Sequence, residues 1–402
     1  MSSLAAATIA AKRHLALARV LARSFREHHP DIPFFVLLAD EIDGYFDPSV
    51  EPFQLLHLRD LTIPNLSRFR FHYRQQELTY AATPYLLAHL LERGFDSACF
   101  FKQESLVLND LGPVLEHLSS HSILLTPHLL KPLMGDDRHE RELTILQSGV
   151  YNVGFLGVSK TETTWKFLHW WQDRLYQYCR HEIARGIHFE QRWLDLVPGF
   201  FQDVHIVRDP GLNIGHWNLP ERRIRSSENH LTADGETCRF FRFSGFDPEI
   251  PSAVTRYSSR LQMANLGAAA TVFARYLELL EAAGYHETKT WPYAYDYFDN
   301  AVPIPDIARE LYRSLEEEAV RFGDPFRTTG SESYFNWLKQ PEEIASGASQ
   351  GLRPLWQAIY ERRPDVRAAY PDPQGVDREG FRKWIQNSGV AEHGIPRDFV
   401  TD

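Results

Sequence analysis

The chain has 402 residues, which is enough for two or more domains. Hydrophobic residues make up 43% and charged residues 24% of it, the composition of an ordinary globular protein. The net charge of −10 and the lack of a long basic run argue against nucleic acid or an anionic membrane as a partner. They do not exclude a local cationic pocket for a small anion.

Three features of the sequence predict a cytoplasmic location. No run approaches the roughly 20 apolar residues needed to span a bilayer. The amino terminus lacks a signal-peptide pattern, since Lys12 and Arg13 follow its apolar start rather than precede it. The cysteines are an odd and scattered set, which predicts reduced residues of the core rather than disulfide partners. They are Cys99, Cys179 and Cys238.

The first 125 residues alternate between strand-like and helix-like segments. Apolar runs predict strands at residues 8–10, 34–38, 54–58, 97–101 and 123–126. A helix with an apolar stripe follows the first strand and ends before Pro30. A second helix begins at Thr83, where threonine can cap and the following proline suits the first turn. The alternation predicts an α/β fold with a mostly parallel sheet and helices on both faces.

The middle of the chain predicts further strands and one long helix. Residues 147–157 alternate small and large side chains and include glycines, which in a strand often mark close approach by a ligand or another backbone. An aromatic stripe predicts a helix over residues 162–185 that ends at Gly186, with the stripe in the core. A strand over residues 238–243 precedes Ser244 and Gly245.

The carboxyl-terminal third changes character and is predicted to be helical. We expect a first domain over residues 1–262, a helical extension packed on it over 263–345, and a small helical module over 346–402. No internal repeat and no low-complexity linker separates these parts.

Motifs of several other enzyme classes are absent from the sequence. No GxGxxG follows the first strand and no GxxxxGK[ST] occurs, which disfavours a dinucleotide-binding domain and a P-loop enzyme. The 18 histidines include no HExxH and the cysteines no paired spacing, so no zinc site is predicted. A hydrolase of the α/β type would need a GxSxG elbow, which the sequence lacks.

Polar residues directly follow the strand at 97–101. Ligands bind at the carboxyl ends of strands in open α/β sheets, so Lys102 and Glu104 are expected to point into a binding crevice. The alternative interpretation is an ordinary solvated strand end.

Several segments together resemble one enzyme family. They are residues 148–155 (SGVYNVGF), 191–193 (QRW), 211–218 (GLNIGHWN) and 243–246 (FSGF). With these segments the chain, over about residues 8–336, is similar to bacterial glycosyltransferases of the GT-A type, the broad group that includes glycogenin-like and lipopolysaccharide galactosyltransferase-like enzymes. The resemblance implies a nucleotide-sugar-binding mixed sheet flanked by helices, with a helical carboxyl-terminal extension.

The chain departs from this family at three linked positions. Members carry Asp-x-Asp after the fourth predicted strand, and a late histidine completes the shell of a divalent ion. Here residues 102–104 read Lys-Gln-Glu, and Arg242 stands in the place of the histidine. The Asp-Gln usual before the tryptophan is Glu-Gln at residues 190–191. Fixed cations can stabilise a leaving diphosphate as a metal ion does, so we expect Lys102 and Arg242 to replace the ion.

The resemblance implies roles for particular residues. Glu190 would act near the anomeric carbon as a base or an electrostatic stabiliser, with a salt bridge to Arg192 or a helix N-terminal charge as the alternative. Its expected catalytic partners are Lys102 and Arg242. The expected donor-binding residues are Thr8, Lys102, Gln103, Glu104, Asn152, Gly154, Gln191, Arg242 and Gly245. The expected acceptor-binding residues are His216, Trp217 and Asn218, for which a packed loop is the alternative.

We therefore predict transfer of a hexosyl or deoxyhexosyl group from a nucleotide-diphosphate-sugar, with no metal or other cofactor. The acceptor is open among a glycan, a lipid-linked saccharide, a peptide and a small molecule. One alternative is a non-catalytic binding or scaffold protein on the same fold, because an inactive descendant would also lose the metal ligands. Another alternative keeps a metal ion through Glu104 and a neighbour such as Asp110.

Overall fold

The structure is a computed structural model that describes residues 3–226, 230–341 and 351–400. It separates into two compact units, Met1–Ile63 with Gln76–Tyr293, and Pro64–Gln75 with Ala294–Asp402. The first unit thus continues past residue 262, and the second includes a segment from the amino-terminal part of the chain. The expected boundary between residues 345 and 346 lies outside the described residues.

The strands of the first unit form a seven-stranded sheet and three smaller sheets. Their bounds are β1 Leu4–Ala10, β2 Phe34–Leu38, β3 Gln54–His57, β4 Ser97–Phe101, β5 Ser105–Val107, β6 Ile123–Pro127, β7 Tyr151–Ser159, β8 His181–Glu182, β9 Ile187–His188, β10 Val204–Ile206, β11 Ile224–Ser226, β12 Leu231–Ala233, β13 Glu236–Thr237 and β14 Phe240–Arg242.

Helices flank the large sheet and make up most of the second unit. Their bounds are α1 Leu15–His28, α2 Leu66–His72, α3 Gln75–Ala81, α4 Thr83–Glu92, α5 Gly112–Leu115, α6 Arg138–Ser148, α7 Glu162–Leu175, α8 Val197–Phe200, α9 Ala269–Ala282, α10 Tyr285–Thr288, α11 Asp306–Ser314, α12 Tyr334–Lys339, α13 Pro354–Arg362, α14 Pro364–Ala369, α15 Arg378–Trp384 and α16 Val390–His393. No helix of the described residues is long and apolar enough to cross a membrane.

The large sheet has the strand order β10-β6-β7-β4-β1-β2-β3. Its pairs are parallel except those of β7, which runs antiparallel to both β4 and β6. The predicted α/β class, a mixed sheet flanked by helices, is therefore confirmed. β1 begins at Leu4 rather than at Thr8. The prediction missed the run of alanines after Leu4 because alanine is depleted in strands and carries little strand signal.

The predicted helix over residues 162–185 is wrong at its carboxyl end. α7 ends at Leu175, and the chain then forms the short β8–β9 hairpin, in which His181 lies opposite His188. The apolar stripe that defines the helix stops there, since Phe167, Trp171 and Leu175 are buried whereas Tyr178 is 37% exposed. The core prediction therefore holds for these three residues of the stripe but not for Tyr178, and Trp170 is half-buried.

Each unit has its own buried core. In the first unit, α1 buries Leu21 and Phe25 against the sheet through Phe34 and Phe101. The three cysteines are buried thiols, as predicted. In the second unit, Phe71 of α2 packs among aromatic rings of the later helices and loops. These rings are Phe298, Tyr312, Phe326 and Tyr334.

Candidate functional site

The carboxyl end of β4 leads directly into a group of charged side chains. All residues of β4 are buried, and Lys102 follows its last residue. The chain then turns through Glu104 into β5, which runs antiparallel to β14 with Ser105 opposite Arg242. The amide of Phe243 donates to the carbonyl of Glu104 at 2.8 Å. This register brings Glu104 and Arg242 side by side although they are 138 residues apart.

Arg242 is held by one carboxylate and one amide. Its Nε donates to Glu104 Oε1 at 3.0 Å, and its Nη1 donates to Asn152 Oδ1 at 2.7 Å. Burial alone would raise the pKa of Glu104, but the charges of Arg242 and then Lys102 outweigh it and hold that pKa below its usual value. Glu104 and Arg242 therefore form a charged pair with little exposure to solvent.

Asn152 connects Arg242 to the neighbouring loops. Its Oδ1 also accepts from the Gly154 amide at 2.7 Å and from Asn213 Nδ2 at 3.0 Å. A Cβ at Gly154 would lie 2.1 Å from Asn213 Oδ1, so this packing requires glycine. On the other side, Asn152 Nδ2 meets His128 Nε2 at 2.7 Å. Burial lowers the pKa of His128 to about 3, so its ring is neutral and can accept that bond.

Lys102 and Glu190 form a second ion pair beside the first. Lys102 Nζ lies 2.5 Å from Glu190 Oε1, and both side chains are 2% exposed. The Tyr80 ring lies against the ammonium group, with its centroid 2.9 Å from Nζ. Burial lowers the pKa of Lys102, and Glu190 opposes that shift. The alternative salt bridge from Glu190 to Arg192 is not formed, since Arg192 pairs with Asp195.

Both ion pairs border one cavity of about 390 Å³. Lys102, Glu190, Asn152 and Arg242 line it, and aromatic and histidine side chains form most of the remaining wall. These are Tyr80, His128, His181, His188, Phe189, His216, Trp217 and Tyr257. Burial lowers the pKa of His188 and of His216 to about 4, so both rings are neutral near pH 7. The cavity therefore combines charged pairs with flat faces of the kind that suit a polar, ring-containing ligand.

Gln191 and Trp217 are two further expected site residues that border the cavity, and their side chains differ in hydrogen bonding. Gln191 uses both ends of its amide on the backbone: its Oε1 accepts from Val153 at 3.2 Å and its Nε2 donates to Ser148 at 3.0 Å. Trp217 has a buried indole Nε1 with no hydrogen-bond partner among the described residues. Trp217 itself lines the cavity. His216 lines the same wall.

The other expected residues do not line the cavity. Thr8 and Gln103 are buried, and an oxygen of each side chain has no partner among the described residues. Glu104 contacts Arg242, and the Gly154 amide donates to Asn152, as described above. Asn218 is fully buried; its Oδ1 accepts from the Gly215 amide at 2.9 Å and its Nδ2 donates to backbone carbonyls. Asn218 therefore lies in a packed loop, which is the alternative given above to its expected role in acceptor binding.

Gly245 does not line the cavity, but its turn leads into residues that do. Its φ of +74° is in the left-handed region, and a Cβ there would lie 2.5 Å from Thr255 Oγ1 and 2.6 Å from the Tyr257 ring. Its carbonyl accepts from the amide of Arg256 at 2.8 Å. The turn therefore places Arg256 and Tyr257 in the cavity wall. No carboxylate of the described residues lies within ion-pair distance of Arg256, whose Nη2 contacts the Tyr257 hydroxyl at 3.1 Å.

Sequence reasoning missed several of these residues. His128 directly follows β6, so the strand-end argument used for Lys102 would have found it. Tyr80 lies in a helix and the His181–His188 pair in a short hairpin, and neither segment carries a motif. Arg256 depends on the turn at Gly245, which a pattern of apolar residues does not reveal.

A divalent ion does not fit the residues that the sequence resemblance aligns with metal ligands, namely Lys102, Glu104 and Arg242. They supply one carboxylate, Glu104, which is already paired with Arg242, and they add the ammonium of Lys102 nearby. Hard cations are held by several oxygen ligands rather than beside two positive side chains. Asp110 does not line the cavity. It follows β5 on the side away from Glu104, and its Oδ1 is 3.6 Å from His29 Nε2. The alternative of a metal held by Glu104 and Asp110 is therefore not supported.

Comparisons with known proteins give relatives at low identity. No protein-family model matches the chain. The uncharacterized proteins YfnD and YfnF of Bacillus subtilis (strain 168) are 23% identical over 252 residues and 24% identical over 246 residues. These alignments cover 61% and 60% of this chain and 79% and 80% of the two relatives.

Three solved structures with a similar chain course are glycosyltransferases. They are the galactosyltransferase LgtC in complex with donor and acceptor sugar analogs (14% identity, 69% of this chain, 95% of that chain, TM-score 0.40), the bifunctional glycosyltransferase WbbM (11%, 68%, 52%, 0.39) and GlyE of Streptococcus pneumoniae TIGR4 (12%, 74%, 67%, 0.41). At these TM-scores no residue role is carried from them to this chain.

Proposed function

We propose that the chain is a glycosyltransferase that moves a hexosyl or deoxyhexosyl group from a nucleotide-diphosphate-sugar to an acceptor without a metal ion. The observation that carries the proposal is the convergence of Lys102, Arg242 and Glu190 on one cavity from three distant parts of the chain. The resemblance of the sequence to GT-A glycosyltransferases aligns these two cations with positions at which that family carries metal ligands. Their neighbour Glu190 is a carboxylate in the same wall.

The charges match those that develop when a glycosyl group leaves a diphosphate. Positive charge grows on the sugar ring and negative charge on the departing oxygens. Glu190 Oε2 accepts no hydrogen bond from a described group, so it is available to the sugar side. Arg242 has N–H donors beyond those given to Glu104 and Asn152, and guanidinium donors suit phosphate oxygens. Groups fixed in this way need no rearrangement as the charges develop.

Charge balance gives Arg256 a part in donor binding. Lys102, Arg242, Glu104 and Glu190 sum to zero, so the two ion pairs add no net positive charge for a diphosphate. Arg256 lines the same cavity without a carboxylate partner and supplies the additional cation. The acceptor would enter beside His216 and Trp217, where the wall is aromatic.

The same charge balance favours a second candidate, a non-catalytic protein that binds a sugar or nucleotide on this fold. Lys102 and Arg242 are each paired with a carboxylate of the chain itself. A protein that had lost turnover would keep such pairs as a purely structural feature. The two candidates differ in whether the nucleoside diphosphate is released.

The test combines thermal shift with product release for a panel of nucleotide-sugars, each with EDTA and with Mn²⁺. We expect one donor to raise the melting temperature equally under both conditions and to release its nucleoside diphosphate with EDTA present. The Arg256→Ala variant should weaken the shift, and Glu190→Gln should keep the shift but lose release. Lys131→Ala is the matched control, since its ion pair with Asp234 lies outside the cavity.

Three results would redirect the proposal. Stabilisation by the donor only with Mn²⁺ would make the enzyme metal-dependent. Stabilisation without any release would support the non-catalytic candidate. No stabilisation by any nucleotide-sugar would remove the donor proposal itself.

A further inference from the structure

A cluster of three histidines lies at the far end of β6 from the cavity. His117 and His121 belong to the segment before β6, and His205 lies on the edge strand β10 opposite Leu124. One ring nitrogen of each histidine lies within 4.8 Å of those of the other two, and all three residues are half-buried. The five residues of β6, roughly 16 Å of strand, separate this cluster from His128 in the cavity wall.

In this cluster the His205 ring packs against the rings of the other two histidines. The His205 ring stacks on His117 and on His121, with centroids 4.2 Å and 4.7 Å apart and interplanar angles of 26° and 15°. Imidazole lone pairs lie in the ring planes, so the rings must rotate out of this stack before their nitrogens can face one ion. The cluster joins the edge strand of the sheet to the turn that precedes its neighbour.

A carboxylate fixes one of the rings. His121 Nδ1 lies 3.1 Å from Asp203 Oδ1. Asp203 Oδ2 accepts from the Ser122 amide at 2.8 Å and from the Ser122 hydroxyl at 2.6 Å. A histidine whose Nδ1–H donates to a carboxylate has its Nε2 lone pair directed away from that contact, which is the usual arrangement of metal-bound histidines.

We propose that His117, His121 and His205 bind a divalent transition-metal ion of the zinc class, with Asp203 orienting His121. Imidazole nitrogens suit zinc, and three of them leave a fourth position for solvent. Tetrahedral Zn–N bonds of about 2.0–2.1 Å place the nitrogens roughly 3.3 Å apart. Nitrogens that lie within 4.8 Å of one another must therefore close by up to about 1.5 Å, which rotation of the half-buried rings allows. The ion would tie β10 to the turn before β6 and take no part in the transfer reaction.

The test is titration of the tag-free full chain with Co²⁺, followed by visible absorption and calorimetry, with Zn²⁺ added to displace it. We expect one Co²⁺ per chain, a d–d band of tetrahedral intensity, and loss of the band on Zn²⁺ addition. His205→Ala should weaken binding at least tenfold, and Asp203→Asn should weaken it by about 10- to 100-fold. His139→Ala, which removes an exposed histidine of α6, should bind as the native chain does.

Two results would overturn the proposal: Co²⁺ binding by the native chain no tighter than by His205→Ala, or a spectrum unchanged in that variant. Circular dichroism without metal checks that each variant is folded, and His117→Ala replaces His205→Ala if the strand variant fails that check. Zn²⁺ should raise the melting temperature without any nucleotide. This effect is distinct from a metal requirement for donor binding, so the two proposals can fail separately.

Discussion

Lys102 and Glu190 depend on each other because both are buried. Their charged atoms lie 2.5 Å apart, and solvent reaches neither side chain appreciably. Removing one partner of such a pair leaves an uncompensated charge in the interior and costs about 3–5 kcal/mol, whereas neutral replacement of both is often far less costly. Each partner therefore stabilises the folded chain only while the other is present, in addition to its part in the proposed site.

The Lys102→Met variant should lower the free energy of unfolding by about 3–5 kcal/mol because Glu190 keeps its buried charge. Adding Glu190→Gln should restore most of the lost stability, since neither side chain of the pair then carries a charge. A double-mutant cycle by urea denaturation measures this coupling. Lys166→Met is the control, because its ion pair with Glu162 is exposed, and it should change little. Additive losses in the two single variants would show that the pair is not coupled.

The ion pairs show what sequence reasoning reaches at the scale of single residues. Lys102 was predictable because it ends a clear apolar strand, and Arg242 because a family resemblance aligned it with a metal ligand. That Arg242 pairs with Glu104 follows from the β5–β14 register, which neither short strand reveals alone. Arg256 reaches the cavity through a positive-φ glycine turn, and such turns leave no periodic signal.

Among the elements, α6 is a wall of the cavity that buries none of its own residues. Thr144 and Ile145 line the cavity, while Leu143 and Leu146 are 51% and 53% exposed. By contrast, α4 buries eight of its residues. Local stability increases with the apolar surface that an element buries, so α6 should open much more often than α4.

Amide hydrogens of α6 should exchange with solvent faster than those of α4, because opening α6 exposes little additional apolar surface. Hydrogen–deuterium exchange followed by mass spectrometry measures both helices in one experiment. A bound nucleotide-sugar should slow exchange in α6 and leave α4 unchanged, which makes α4 the internal control. Equal protection of the two helices without ligand would contradict the expectation.

The elements also show why some segments were predictable. β2 and β4 are fully buried strands, and their predicted bounds match the structure. A strand that is buried on both faces appears in the sequence as a continuous apolar run, so it can be recognised without an alternation of apolar and polar residues. α6 was not predicted, since a helix with no buried face has no apolar stripe. The predicted helix over residues 162–185 covers β8 because the strands of the β8–β9 hairpin have only two residues each and carry little strand signal.

At the scale of the whole molecule, chain order does not give the division into units. The segment Pro64–Gln75 belongs with the carboxyl-terminal unit, where Arg309 donates to the Phe71 and Tyr73 carbonyls at 2.9 Å and 3.2 Å. These contacts join residues more than 200 positions apart. Dividing the chain where its composition changes yields only continuous segments. It could therefore not have predicted a unit that is made of two separate segments.

Buried neutral histidines make the whole fold sensitive to acid. Burial lowers the pKa of His128 to about 3 and that of His216 to about 4, from an ordinary value of 6.5. As the pH falls below 6.5, the unfolded chain takes up protons at these sites while the folded chain does not. The unfolded state then binds more protons, so stability falls with pH, by about 1.4 kcal/mol per pH unit for each such histidine. The loss is complete once the pH passes below the folded pKa.

Urea denaturation between about pH 7 and pH 5 isolates this effect, because most carboxylates remain ionised over that range. We expect the free energy of unfolding of the native chain to decrease steadily across the range. His128→Asn should flatten the curve, since asparagine takes up no proton on unfolding, even if the variant is less stable at pH 7. His139→Ala, which removes an exposed ring, should keep the native slope. A His128→Asn curve parallel to the native one would mean that His128 is not the group that acid protonates on unfolding.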